Sequence, residues 1–388
     1  MAGDADRASL GRIRTQVGRA LELFLERQRA VLAAIGDDLL PCLDAMEGLL
    51  AGGKRLRPAF CYWGWRAGGG ADCPEIYVAA ASLELLQASA LVHDDVMDAS
   101  DTRRGRPALH RQFASLVAAG VPGVSELSRA AQQPGAGDRS GTDARPGAAE
   151  QFGIGAAILT GDMLLSWTDE LYHASGLSPG VLSRGQPALN AMRTEVAAGQ
   201  YLDLLSQAAR STSVRAALRV MTYKTAKYTI ERPLQLGAAL AAGATAAAEA
   251  AAMGVEATCT DYGIPLGVAF QLRDDLLGVF GDPALTGKPV TGDISEGKRT
   301  VLVALARERA TAAQTRVLDR HLGDRSLTTA GLAQVKAVLT DTGAAAECEA
   351  LIGASVKEAV AALDGAPITA DARAALAALA VTATDRED

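Results

Sequence analysis

Apolar residues recur at three- and four-residue spacing over most of this chain, in long runs separated by short turns, and no segment alternates as a half-buried strand does. The chain is rich in alanine and leucine and only 4% aromatic. Both features point to an all-α fold, a single large helical bundle. The periodicity predicts helices over 8–35, 39–51, 57–68, 74–99, 107–118, 150–175, 180–209, 212–242, 246–280, 298–321, 328–340, 344–363 and 369–381. Pro233 and Pro265 fall inside two of them, where each removes a backbone donor and should kink its helix. Residues 119–149 differ, being dominated by Gly, Pro, Ser, Gln and charge, and are read as a disordered surface insertion. The C-terminal end is expected to fray.

Charge narrows the ligand. A net charge of −7 with a pI near 5.3 argues against nucleic acid or an anionic membrane surface as partner, so any anionic ligand must be caught by a local basic cluster. Only seven of the 38 basic residues are lysines, and four of these, Lys54, Lys224, Lys288 and Lys298, fall in short motifs where a compact charge can grip phosphate. The five cysteines (Cys42, Cys61, Cys73, Cys259 and Cys348) are scattered without metal-type spacing and fit buried thiols in a reducing compartment. With no signal-peptide pattern and no uncharged apolar stretch of spanning length, a cytoplasmic chain without stable membrane insertion is expected.

Two acidic clusters carry the chemistry. The first, Asp94, Asp95 and Asp98, ends the helix over 74–99 and is followed by Arg103, Arg104 and Arg106. Asp94 and Asp98, four apart, share one helix face. The second, Asp274 and Asp275, lies near the end of another long apolar helix. One such pair is most often a solvated helix terminus. Two copies, set face to face across a central cavity, suit magnesium, which is held jointly by carboxylates and substrate phosphates.

Three further motifs add cations. Gly52-Gly-Lys-Arg-Leu-Arg-Pro58 concentrates Lys54, Arg55 and Arg57 between two helices, and Lys224-Thr-Ala-Lys-Tyr-Thr229 adds another. Lys288 and the run Asp293-Ile-Ser-Glu-Gly-Lys-Arg-Thr300 form a basic loop beyond the second acidic pair. Carboxylate-held metal and spaced cations around an apolar interior fit ionisation of an allylic diphosphate, with dry walls protecting the carbocation.

The order of these motifs, together with Gly199-Gln-Tyr-Leu-Asp203 and Phe270-Gln-Leu-Arg-Asp-Asp275, resembles the trans-polyprenyl diphosphate synthases over nearly the whole chain apart from 119–149. Within that family it looks most like the bacterial geranylgeranyl diphosphate synthases. The resemblance implies the isoprenoid synthase fold, with one prenyltransferase domain over 1–388, a homodimer, and three magnesium ions when substrate is bound. It implies head-to-tail condensation of isopentenyl diphosphate with an allylic diphosphate, with geranylgeranyl diphosphate as main product.

By the same resemblance, Asp94, Asp98 and Asp274 bind magnesium, with Asp95 and Asp275 in support. Arg103, Lys224 and Lys288 hold the allylic diphosphate. Lys54, Arg57, Gln87 and Arg104 bind isopentenyl diphosphate, with Arg55 in the same basic run, and Lys298 closes over the site. Thr225 and Gln271 lie beside the reacting carbons. Product length falls to Leu86, Ser89 and Ala90, one or more turns below the first acids, although small residues there serve helix packing equally well. Gly278 departs from the pattern, standing where many members carry a third aspartate; Asp282, roughly one turn on, is placed for support through water.

Two other readings share some of these features. A class I terpene cyclase would pair its Asp-rich motif with an Asn-Ser-Glu motif, which is absent, and would lack the Gly-Gly-Lys-Arg run. A non-catalytic regulatory subunit of a prenyl synthase would have eroded acidic motifs. Here the first is complete and the second lacks only its third acid.

Overall fold

A computed structural model describes residues 2–118, 147–243, 246–281 and 292–384, with backbone alone for 2–8, 118 and 246–250. Most of the 119–149 insertion, Lys288, Asp282 and the last four residues lie outside the described residues. In chain order the helices are α1 (Ala2–Ile35), α2 (Leu40–Leu50), α3 (Leu56–Ala67), α4 (Pro74–Met97), α5 (Leu109–Ala118), α6 (Ala148–His173), α7 (Pro179–Ala208) and α8 (Val214–Met221). A π-helical segment (Thr222–Glu231) leads into α9 (Arg232–Ala241) and α10 (Ala246–Phe280). The chain closes with α11 (Gly292–Ser295), α12 (Val301–Arg309), α13 (Ala312–His321), α14 (Thr329–Asp341), α15 (Ala344–Ala361) and α16 (Ala370–Thr384). Every expected helix has a counterpart.

Three local features depart from expectation. The helix expected over 298–321 is two helices, because Thr311 and Gln314 form a capping box that starts α13 afresh. The helix expected over 212–242 is interrupted by the π-helical turns, which end where the Arg232 N–H donates to the Lys227 carbonyl, just before Pro233. A small hairpin pairs Thr102 with Pro107 and Arg103 with Arg106. Its turn residues, Arg104 and Gly105, both have positive φ, as a two-residue type I′ turn demands.

The residues group into two compact units. One comprises 14–55 and 77–176. Its core includes Phe24, Met46, Leu83, Leu85, Phe113, Leu164 and Trp167, with Phe24 and Trp167 edge to face at 5.8 Å. The α4 helix is long and apolar enough to cross a membrane by composition, which the sequence reading did not anticipate. Since 72% of its apolar window is buried within the protein, α4 is a core helix. The other unit comprises 1–13, 56–76 and 177–388. Its core packs Leu272, Leu276 and Val279 of α10 against Val301 to Ala306 of α12 and against Leu332, Val335, Cys348 and Ile352. All five cysteines are free thiols.

Candidate active site

The first acidic cluster is presented by the way α4 stops. Ala99 takes a left-handed conformation with φ of 50°, its N–H donates to Val96 O, and the Ser100 N–H reaches back to Asp95 O at 2.9 Å. That six-to-one closure is a Schellman cap, and alanine in the place usually given to glycine is strained. Asp94 therefore lies in the last turn and Asp98 just past Met97, its N–H donating to Asp94 O, with Asp95 and Asp98 buried and Asp94 half-buried. Arg103, folded back by the hairpin, donates its Nε to Asp95 Oδ1 at 2.9 Å and a second N–H to the same oxygen. Its guanidinium also lies 3.8 Å from Asp94.

The hairpin tip brings two basic motifs together. The Arg104 guanidinium lies over Gly53, next to exposed Lys54, and donates to the Leu49 carbonyl at 3.4 Å. Arg55, expected among the substrate ligands, instead turns inward. It donates to Glu84 Oε2 and to Leu50 O, both at 2.5 Å, and is as buried as the glutamate.

Along α4 most of the side chains from Ser82 to Ser89 are buried, but Gln87, Ala90, Leu91 and Asp94 are partly open. These four are spaced three, one and three residues apart, which places them on a single face running down from the acids. Of the three side chains expected to set product length, Ala90 lies on that face, while Leu86 and Ser89 are buried.

In the second unit, one chain of hydrogen bonds joins the predicted residues. Thr225 Oγ1 donates to Gln271 Oε1 at 2.7 Å, and the Gln271 amide donates to Asp275 Oδ1 at 2.7 Å. Lys224 donates to Asp203 Oδ2 at 2.7 Å, and Lys298 to Asp293 Oδ1 at 3.2 Å. Arg57 donates to buried Thr229 Oγ1 at 2.7 Å and stacks 4.4 Å above the Tyr228 ring. The π-helical turns present Lys224 and Thr225. They are held by close backbone approach: a Cβ on Gly199 of α7 would stand 2.5 Å from the Lys224 nitrogen.

Asp275 shows what this region demands. Burial, then the negative charge of Asp293, push its carboxyl up to about 8, against the lowering effects of the Gln271 bond and Lys298. A divalent cation would relieve that crowding, and hard carboxylate oxygens are the donors magnesium takes. Among the described residues no three acids, cysteines or histidines form a ready cage. Magnesium commonly completes its shell with water and substrate phosphate oxygens.

The sequence reading gave no role to Glu84, Asp203 or Asp293. Asp203 ends the Gly199-Gln-Tyr-Leu-Asp203 motif, and Asp293 begins the run that carries Lys298. Nothing in the sequence marks Glu84, which lies inside an apolar helix.

An all-helical fold bearing two acidic clusters at the ends of apolar helices is that of the isoprenoid synthases. The Polyprenyl synthetase family model matches residues 41–126 and 144–339. The chain belongs to that family. It is 28% identical over 367 residues to the geranylgeranyl diphosphate synthase of Mycobacterium tuberculosis, spanning 94% of this chain and 90% of the relative. It is 31% identical over 264 residues to the geranylfarnesyl diphosphate synthase of Aeropyrum pernix, spanning 67% and 68%. A crystal structure of geranylgeranyl pyrophosphate synthase from Corynebacterium glutamicum, complexed with isoprenyl diphosphate and magnesium, superposes with a TM-score of 0.84 at 38% identity. That match covers 97% of this chain and 99% of the other.

Proposed function

We propose that the protein condenses isopentenyl diphosphate with an allylic diphosphate in the head-to-tail mode, releasing diphosphate, with geranylgeranyl diphosphate as the main product. The observation that carries this reading is the wiring of the second acidic cluster, in which Asp275, Gln271 and Thr225 form one hydrogen-bonded chain beside Lys224 on the π-helical turns.

Asp94, Asp98 and Asp274 would hold magnesium, three ions in all when substrate is present, with Asp95 and Asp275 in support. Magnesium, when bound, supplies charge neutralisation for the departing diphosphate. Arg103, Lys224 and Lys288 grip the allylic diphosphate. Lys224 is oriented by its hydrogen bond to Asp203, and Arg103 by its hydrogen bonds to Asp95. Lys54, Arg57, Gln87 and Arg104 take isopentenyl diphosphate. The oxygens of Thr225 and Gln271 stabilise the allylic cation while the isopentenyl double bond attacks it. The proton then lost passes to the released diphosphate. Ala90 and the open face of α4 take the growing tail.

A cytoplasmic homodimer completes the proposal. Exposed Val31 and Ile35 on α1 and Leu159 on α6 support self-association, and a monomer by light scattering would contradict it. Incubation with magnesium, isopentenyl diphosphate and each allylic starter, followed by product sizing, tests the activity. Absence of elongation with every starter would refute it. Asp94→Ala and Asp274→Ala should each abolish turnover and keep the helical circular dichroism signal.

A further inference from the structure

Gly278 follows Asp274 by four residues on α10, so a side chain there would share the face of Asp274. The space that side chain would need is filled. A Cβ built on Gly278 would stand 2.3 Å from Asp293 Oδ2 and 3.2 Å from Asp293 Cγ. The carboxylate of Asp293 therefore lies where a carboxylate on residue 278 would begin, delivered from α11 rather than from α10. Its charge reaches Asp275, and its other oxygen is held by Lys298, whose backbone N–H also donates to Asp293 O at 3.0 Å. Lys298 thus ties the loop down at both ends of the aspartate.

We propose that Asp293 supplies, from this loop, the third carboxylate of the second metal cluster, and that glycine at 278 is what makes room for it. The inference rests on the reading of Asp274 and Asp275 as magnesium ligands. It adds that the departure at Gly278 is a relocation of charge rather than a loss. Relocation has a consequence: the third acid and Lys298 sit on one tied segment, so displacing that segment would remove both at once. A carboxylate fixed on α10 would not couple the two.

The test is calorimetric titration of magnesium into protein holding a fixed concentration of inorganic diphosphate, with no turnover required. Asp293→Asn keeps the shape and removes the charge. It should raise the magnesium midpoint about 10–100-fold, the usual cost of losing a supporting carboxylate at a metal site. The double variant Gly278→Asp/Asp293→Ala empties the space that the Asp293 carboxylate fills, returns a carboxylate on α10 and should recover most of that loss. An unchanged midpoint in Asp293→Asn would overturn the proposal. So would a loss that the double variant does not recover, since the defect would then belong to the tether on Lys298. Failure of the unaltered protein to bind diphosphate with magnesium would instead strike the broader functional reading. Thermal unfolding of each variant without metal separates misfolding from lost binding.

Discussion

Arg55 offers the sharpest separation between a structural and a substrate-binding cation. Its guanidinium is enclosed with Glu84 at 2.5 Å, both side chains only 8% exposed, and its backbone sits at φ of 52° to bring it there. Glu84→Gln would leave an unpaired guanidinium in a buried site, which costs roughly 3–5 kcal/mol. Since 1.4 kcal/mol is about tenfold, the folding equilibrium should fall by about two to three and a half powers of ten. Arg55→Met should cost as much by stranding Glu84. Removing both charges in Arg55→Met/Glu84→Gln should recover a large part of either loss, because an apolar replacement of a whole buried pair is often near neutral. Chemical denaturation followed by circular dichroism reads all three. In steady-state assays Arg55→Met should keep the Michaelis constant for isopentenyl diphosphate. A loss below about 1 kcal/mol in Glu84→Gln, the level of an exposed pair, would refute the argument. So would a stable Arg55→Met with a tenfold higher Michaelis constant.

Ala90→Phe should shorten the product, because Ala90 lies on the open face of α4 below Asp94; an unchanged product profile by chromatography removes Ala90 from the length-setting role. Gly199→Ala places a methyl group 2.5 Å from the Lys224 nitrogen, so it should cost about 1–3 kcal/mol of stability and lower turnover by displacing Lys224, as denaturation and kinetics would show. In the metal-free protein Asp275 holds its proton up to about 8, well above an unfolded aspartate near 3.8. Between those values the native state binds more protons than the unfolded one, so stability should fall as pH rises through that window. Asp275→Asn should flatten this slope in pH-dependent denaturation, and an identical slope would show that another group carries it.

Helix positions were largely legible because their signals are local. Periodicity marked each run, and Thr311 with Gln314 carried a restart signal that the long apolar run concealed. The hairpin was missed because its turn, Arg104-Gly105, lacks the Asn-Gly or Asp-Gly that usually announces one. The π-helical turns were hidden for another reason. Composition there reads as ordinary helix, and the distortion goes with the close approach of Gly199, a residue more than twenty positions away.

Among the charged motifs, the sequence by itself determined which residues are available: two acidic pairs at helix ends, basic runs after glycines, and an all-helical frame to carry them. Spacing on a helix settles that much, since residues four apart must share a face. Tertiary structure decided how each charge is used. It buried Arg55 against Glu84, set Arg57 on Thr229 and Tyr228, and brought Asp293 to the place that Gly278 leaves open. Those choices turn on ångström-scale distances between segments remote in sequence, which no local pattern encodes.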